Sequence, residues 1–436
     1  MTNNTPSGEV PYTLHQATLS NGLRVVGLRA PHLRSLVISA FVGVGARHEH
    51  EDDKGISHFL EHMMLSGTET YPSMSELFGA VERMGGMLNG ASMFDHTIYW
   101  MRLHRDHVAD GLHVMADILT RPLLDPDAIA AERNTILNEM AGISGESALE
   151  LMLEMMWPGR SGEFNVPGSL ETAEAFNRER LLAHYRRFYV PGNMVLCVVG
   201  CFDVEATFRL IDATLGQMAG DPAPGLVALG PAQPGPQWNS RPAGGTQASF
   251  WLAHRAYTDT DPRRTVLYVL NTMLGWGTRS LLFEKVREEA GLAYYIESDT
   301  LLNGEYGLFN IQCELPVENL MDAMALVFDV VRRLTDAPIE ADRLERAIEL
   351  MRCQIEFQLD NPETLARIYG LGALLGRAFD PPLELARKVR AVTAEQVTEV
   401  AREVFRPDRR YLLLYGPEGQ MVRRRQIERL LAVEPA

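Results

Sequence analysis

Two histidines and a glutamate have a spacing that suits metal-dependent hydrolysis: His58, Glu61 and His62. Residues 55–65 have helical character, with Ser57 as the predicted N-cap. Positions i, i+3 and i+4 of a helix share one face, so both imidazoles can reach one Zn²⁺ at about 2.0–2.1 Å with the carboxyl group beside them. The pattern H-x-x-E-H therefore predicts a metal-binding helix in a hydrolase.

A second interpretation of this helix is open at this point, in which the histidines cap it or pair with the acidic run at residues 49–53. A catalytic zinc usually has a third protein ligand and an open position for water. The helix predicted to begin near Pro126 carries two candidates, Glu132 and Glu139, seven residues apart. Seven residues make two helical turns, so the two carboxyl groups are expected on nearly one face.

Composition excludes several classes of protein. The 436 residues, 46% hydrophobic and 22% charged, are typical of a globular protein with two or more domains. Four cysteines are too few for a disulfide framework and fit a reducing compartment. The net charge of −16 argues against a nucleic-acid partner. Residues 1–8 lack a secretory signal, and no apolar run reaches about 18 residues, so we expect a cytoplasmic protein without a membrane partner.

The segment at residues 216–245 is rich in proline and glycine and has little apolar periodicity. This composition predicts a linker between two domains. The N-terminal domain is then residues 1–215 and the C-terminal domain residues 246–436. The candidate metal ligands all lie in the first of these domains.

The two halves show the same order of predicted elements. The first half opens with a hairpin, strands 12–19 and 23–28 around the turn Asn21-Gly22, followed by a strand at 36–44. The strand at 247–254 is the expected counterpart in the second half. A shared order of this kind indicates an internal duplication.

In the later part of the duplication, matching elements of the two halves are separated by a constant number of residues. The helix predicted to begin at Pro126 then corresponds to the helix predicted to begin at Ala341. The chemistry does not repeat, because Ala347 and Gln354 stand where the first half has its two glutamates. Mixed strands and helices in each half predict an α+β fold. We expect two tandem, structurally related domains, each a mainly antiparallel sheet packed with helices.

With Glu132 and Glu139 following H-x-x-E-H, the chain resembles the pitrilysin and insulinase superfamily of inverted-zincin metallopeptidases. It resembles most the short-chain branch of the mitochondrial processing peptidase and its bacterial relatives, whose fold is a half clamshell. Residues 85–99 are similar to the family element G-G-x-x-N-A-x-T-x-x-[ED]-x-T-x-Y. Two positions depart from it, Gly90 for the usual Ala and Ser92 for the usual Thr.

Residues 283–295 in the second half resemble the R-x6-Y element of the same family, with Arg287 and Tyr294 as the pair. Without the family, Arg287 would be interpreted as a solvated helix residue and Tyr294 as an aromatic residue of a strand core. The resemblance instead implies that both bind substrate and support the transition state.

The resemblance implies one Zn²⁺ per chain and a role for each matching residue. The implied roles are metal ligation by His58, His62 and Glu139, general-base catalysis on the zinc-bound water by Glu61, orientation of a ligand by Glu132, and binding of the peptide backbone along an edge strand at Asn89, Gly90, Ala91 and Ser92. The alternative for Glu132 is an exposed helix carboxylate.

The implied function is that of a zinc-dependent endopeptidase, which hydrolyses peptides or unfolded polypeptides held as an extended strand in a closed chamber. A homodimer is the expected assembly, because this chain carries both the zinc ligands and the Arg–Tyr pair. Two alternatives stay open. The chain is the catalytic subunit of a heterodimeric processing peptidase, or it is a non-catalytic core-type subunit of the same fold.

Overall fold

The structure is a computed structural model that describes residues 11–142, 147–242, 246–376, 380–417 and 424–431. Residues 1–8, and with them the expectation about a secretory signal, lie outside these ranges. The chain forms two compact units. Unit 1 contains Met1–Gly145, Arg160–Val227 and Gln358–Phe379, and unit 2 contains Glu146–Gly159, Ala228–Phe357 and Asp380–Ala436. No helix in the described ranges is long and apolar enough to cross a membrane.

The strands of the described residues are, in chain order, β1 (Thr13–Thr18), β2 (Arg24–Arg29), β3 (Ser35–Val42), β4 (Met87–Ser92), β5 (Thr97–His104), β6 (Met194–Gly200), β7 (Gln237–Pro242), β8 (Gln247–Arg255), β9 (Tyr295–Leu302), β10 (Gly307–Pro316) and β11 (Arg410–Gly416). The α-helices are α1 (Ile56–Leu65), α2 (Met74–Arg83), α3 (Val108–Thr120), α4 (Pro126–Gly142), α5 (Ala148–Met156), α6 (Leu170–Ala175), α7 (Arg178–Phe188), α8 (Val204–Leu215), α9 (Arg264–Gly275), α10 (Leu320–Asp336), α11 (Ala341–Phe357), α12 (Pro362–Leu375), α13 (Pro382–Arg390), α14 (Ala394–Val404) and α15 (Arg424–Leu431).

The sheet of unit 1 has the strand order β1-β2-β6-β3-β5-β4. Only β2 and β6 pair in parallel there, and the other neighbours are antiparallel. The predicted hairpin is confirmed, since Thr18 pairs with Arg24 across a turn in which Gly22 has a φ of 92°. The predicted strand at 36–44 is β3. Strand β4 lies at the edge, so one side of its backbone has no strand partner within this sheet.

The sheet of unit 2 has the order β7-β11-β8-β10-β9. Strand β7 pairs with β11 in parallel, and the remaining pairs are antiparallel. Strand β8 is the predicted counterpart strand at 247–254. Strand β7 lies inside the segment predicted as a linker, so part of that segment belongs to a sheet.

The helices confirm the predicted duplication. Helix α4 begins at Pro126 and α11 at Ala341, and each has 17 residues. Both sheets are mainly antiparallel and packed with helices, so the predicted fold class is confirmed. Helix α9 covers the apolar region of the second half and buries Val266, Leu270 and Leu274 where the first half has its histidines.

Within the described ranges, each unit contains one α-helix from the other half of the sequence. Helix α12 packs on β3 and β6 of unit 1, where Leu365, Ala366 and Tyr369 are buried. A Cβ on Gly370 would lie 2.1 Å from a ring carbon of Phe41, so a glycine is needed for this close approach. Helix α5, from the first half, contacts β11 in unit 2.

Candidate active site

Helix α1 carries the H-x-x-E-H motif, and the prediction of its N-cap was wrong. The N-cap is Gly55, not Ser57, and its φ of 90° lies in the left-handed region that favours glycine. The N–H groups at the start of the helix bond to a side chain that precedes it by several residues. The carboxylate of Glu49 accepts hydrogen bonds from the backbone N–H of Gly55 and of Ser57, each at 2.8 Å. A more distant acceptor thus replaces the local side-chain cap that the sequence pattern suggested.

The two faces of α1 have different environments. Phe59, Leu60 and Met63 are at most 1% exposed and belong to the apolar core of unit 1. This burial anchors the helix against the sheet and directs His58 and Glu61 to the other side. His62 lies there too and is the most accessible of the three motif side chains.

The imidazoles of α1 converge on a carboxylate of α4. Nε2 of His58 lies 3.8 Å and Nε2 of His62 lies 3.7 Å from the same oxygen of Glu139. The two rings are perpendicular, with their centroids 4.8 Å apart. A tetrahedral ion at about 2.0–2.1 Å from each donor holds the donors about 3.4 Å apart, so a small inward movement would close the site. Two imidazoles and one carboxylate are a donor set that fits a catalytic zinc.

Judged by distance alone, Glu61 is a second candidate for the third ligand beside Glu139. Donor atoms of Glu61, His58 and His62 all lie within 4.8 Å of one another. Both Nε2 atoms face one oxygen of Glu139, at 3.8 and 3.7 Å, which makes Glu139 the stronger candidate for the third ligand. The carboxylate of Glu61 lies instead over β4, where a Cβ built on Gly90 would be 2.3 Å from its Oε1. The missing side chain at position 90 therefore leaves room for Glu61.

Glu132, in α4, contacts the second histidine, His62. Nδ1 of His62 lies 3.3 Å from Oε2 of Glu132, whose side chain is 13% exposed. Glu132 is thus not an exposed helix carboxylate. A hydrogen bond donated by Nδ1 directs the Nε2 lone pair toward Glu139, as outer partners of metal-binding histidines do. Nδ1 of His58 is buried and has no hydrogen-bond partner among the described residues.

The site shifts the pKa values of its groups in different directions. Burial lowers the pKa of His58 to about 4, with a further contribution from His62 and an opposing one from Glu139. Burial raises the pKa of Glu61 to about 7, opposed by His62 and assisted by Glu139 and Glu132. For His62, burial lowers the pKa, but the hydrogen bond with Glu132 and the charges of the three glutamates outweigh it and raise the pKa overall.

A pocket of about 480 Å³ opens over these groups. Its polar lining comes from the motif residues, Glu139 and strand β4, and its apolar lining from Leu65, Met74, Phe78, Val166 and Pro167. The structure places Asn89, Gly90, Ala91 and Ser92 in β4 at the sheet edge, beside Glu61. An extended chain can therefore reach both an unpaired strand edge and the candidate metal ligands in one pocket.

The Arg–Tyr pair lies in unit 2, whereas the candidate metal ligands lie in unit 1. Arg287 belongs to a π-helical segment, Phe283–Glu289, and Tyr294 directly precedes β9. The guanidinium of Arg287 stacks 5.0 Å from the ring centroid of Tyr294. Tyr294 is 80% exposed, so it is not an aromatic residue of a strand core.

Glu49 and His184 support the site and were not found by the sequence reasoning. Nε2 of His184, in α7, lies 3.1 Å from Oγ of Ser57, which immediately precedes His58. His184 is 127 positions from Ser57, and Glu49 binds backbone groups. Neither contact produces a spacing that a motif search would detect, although Glu49 is within the acidic run that the sequence reasoning noted.

Known families and proteins match the chain over most of its length. Residues 24–160 match the insulinase family, peptidase family M16, and residues 175–351 match the peptidase M16 inactive domain. YmxG of Bacillus subtilis, an uncharacterized zinc protease, is 27% identical over 413 residues, which are 93% of this chain and 98% of that protein. The probable mitochondrial-processing peptidase subunit beta of Arabidopsis thaliana is 25% identical over 409 residues, 88% of this chain and 75% of that protein.

The fold also matches solved structures. The crystal structure of a protease from Helicobacter pylori superposes with a TM-score of 0.85 at 17% identity, covering 93% of this chain and 100% of that chain. The match to the insulinase family spans the candidate metal ligands of α1 and α4, and the match to the inactive domain spans Arg287 and Tyr294. This chain belongs to the pitrilysin/insulinase superfamily.

Proposed function

We propose that this chain is a zinc-dependent endopeptidase that hydrolyses peptides or unfolded polypeptides. The observation that carries the proposal is the convergence of two imidazole Nε2 atoms, from His58 and His62, on one oxygen of Glu139. The name of the Bacillus subtilis relative, a zinc protease, supports the choice of metal. A non-catalytic core-type subunit is less consistent with these residues, because a full candidate ligand set has no use in such a chain.

Zn²⁺ held by these ligands would polarise the scissile carbonyl and make the attacking water more acidic. Glu61 takes the proton from that water and passes it to the leaving amine, a role that suits a buried carboxylate beside the imidazoles. Glu132 keeps Nε2 of His62 directed toward the metal position through its hydrogen bond to Nδ1. The residues of the site thus divide into ligands, a base and an orienting group.

The substrate binds as an extended strand along β4. An edge strand offers unpaired N–H and C=O groups, so main-chain hydrogen bonds supply affinity with little dependence on sequence. Side-chain preference then comes from the apolar part of the pocket, which includes Leu65, Met74 and Phe78. This arrangement suits an enzyme that accepts many unfolded segments.

The active assembly is a homodimer in which Arg287 and Tyr294 of one subunit complete the metal site of the other. The exposure of Tyr294, 80%, supports this proposal because a large exposed aromatic beside an arginine is available to a partner or a substrate. A heterodimer with a separate partner chain is the second candidate, favoured by the name of the Arabidopsis relative as one subunit of a processing peptidase.

Peptide cleavage and metal content test the proposal directly. Mass spectrometry of products from a diverse peptide library, with and without a chelator, should show cleavage that stops on chelation and returns with Zn²⁺. The Glu61→Gln variant should keep its zinc and lose about 10²–10⁴-fold in turnover. The Glu345→Gln variant, an exposed change on α11, is the matched control and should match the wild type. Cleavage by Glu61→Gln at the wild-type rate would refute the assigned mechanism.

Mixing of inactive variants tests the assembly. Glu61→Gln and Arg287→Ala subunits are each inactive on their own if both groups are required. When the two are mixed, hybrid dimers acting in trans regain one intact site. No recovery after confirmed subunit exchange contradicts the homodimer, and zinc-loaded chain without turnover on any unfolded peptide points to the heterodimer.

A further inference from the structure

Ser57, the residue before His58, is held by contacts from a loop, a helix and a strand. Its backbone N–H donates to Glu49 at 2.8 Å, its Oγ lies 3.1 Å from Nε2 of His184, and its carbonyl accepts from Oγ of Ser92 at 3.2 Å. Ser57 is 2% exposed. Three polar contacts on one buried residue next to a candidate ligand restrict where that ligand can lie.

The contact from Ser92 differs from the other two because it comes from β4, the strand proposed to bind substrate. Ser92 also lies 3.4 Å from Oγ1 of Thr97, which donates to the carbonyl of Val44 at 2.8 Å. Because the single proton of Thr97 goes to Val44, the hydroxyl of Ser92 is left to donate its own proton to α1. The bond joins the edge strand to the metal-binding helix one residue away from His58.

We propose that Ser57 is a positioning residue and that Ser92, through its bond to Ser57, sets the distance between the substrate strand and the metal-binding helix. The expected effect of Ser92 on turnover rests on the proposed function, whereas its expected effect on the geometry of the metal ligands does not. A peptide on β4 presents its scissile carbonyl at a place set by the strand, whereas His58 and Glu61 move with α1. A misplacement of about 1 Å between reacting groups costs about 100-fold in rate, so a smaller shift should cost less but remain measurable.

Unit 2 provides a matched control. There Oγ of Ser298, on the edge strand β9, lies 3.3 Å from the carbonyl oxygen of Asn271 in α9 and donates to its Oδ1 at 2.7 Å. Ser298 is 2% exposed and so more buried than Ser92, which is partly exposed. The same kind of strand-to-helix contact thus occurs where the helix carries no candidate ligand, and removing it tests a purely structural role.

The experiment compares Ser92→Ala, Ser92→Thr and Ser298→Ala in the full chain. Steady-state kinetics on a peptide identified from the library gives kcat and KM, and the visible absorption of the Co²⁺-substituted protein reports ligand geometry without turnover. Ser92→Ala should lower kcat about 3–30-fold with KM changed less than about twofold, and should alter the Co²⁺ spectrum. Ser92→Thr keeps the hydroxyl and should restore both, and Ser298→Ala should resemble the wild type.

Three results would overturn the inference. A rise in KM at constant kcat would make Ser92 a simple substrate contact. Equal effects of Ser298→Ala would make the bond structural, and a wild-type Co²⁺ spectrum in Ser92→Ala would show that the ligands had not moved. If the wild type alone cleaves no peptide, the homodimeric peptidase fails separately, and the Co²⁺ spectra of the three variants still decide the positioning role.

Discussion

Removal of Glu132 should weaken zinc binding through His62. The hydrogen bond between Nδ1 of His62 and Oε2 of Glu132 is 3.3 Å long, and the two side chains are only 22% and 13% exposed. Outer partners of metal-binding histidines contribute about 10–100-fold to metal affinity. The Glu132→Ala variant should therefore raise the Kd for Zn²⁺ by about 10–100-fold, or about 1.4–2.7 kcal/mol. The fold should be kept, because alanine is the best helix former.

Competition with a fluorescent zinc chelator measures this Kd on metal-free protein. Glu345→Ala, an exposed change on α11, controls for the loss of a carboxylate from a helix. A double-mutant cycle with His62→Ala then tests the route of the effect. If Glu132 acts by orienting His62, its removal should have little further effect once His62 is gone. The same loss of affinity in both backgrounds would refute the reasoning, because Glu132 would then act on the metal independently.

Two further predictions concern a buried histidine and a glycine. His254 is fully buried without a hydrogen-bond partner for its ring among the described residues, and burial, assisted by the charge of Arg410, holds its pKa well below the usual value. The imidazole stays neutral in the folded protein, whereas in the unfolded chain it takes up a proton below a pKa of about 6.5. The free energy of unfolding therefore falls with pH, by about 2 kcal/mol between pH 7 and pH 5. The free energy of unfolding in urea should depend less on pH in His254→Leu than in the wild type, whereas His32→Leu, a change at an exposed histidine, should behave like the wild type. The same dependence on pH in both variants would show that His254 is not responsible. Gly90→Val should displace Glu61 and lower kcat at least about 10-fold with zinc content unchanged, and an unaffected kcat would show that Glu61 needs no space over β4.

The local and periodic features of this chain were predictable from its sequence. The hairpin at Asn21-Gly22 follows from turn chemistry, and the duplicated helices α4 and α11 follow from a constant offset. The edge strand at residues 87–92 was expected from the family resemblance alone. The failed prediction concerns Ser57, whose type and position suggested an N-cap. Sequence rules for caps consider the nearest side chains, whereas here the N-cap residue is Gly55 and the accepting carboxylate comes from Glu49, in the loop before α1.

The pattern H-x-x-E-H by itself determined that two imidazoles and a carboxyl group share one helix face, because i, i+3 and i+4 positions coincide in any α-helix. The family resemblance implied a role for each of the three carboxylates, but their positions around the imidazoles come only from the tertiary structure. Packing of α4 beside α1 brings one oxygen of Glu139 within 4 Å of both Nε2 atoms and Glu132 against Nδ1 of His62, while Gly90 gives Glu61 a separate place. Such distances depend on how elements far apart in the chain pack, and no local spacing encodes them.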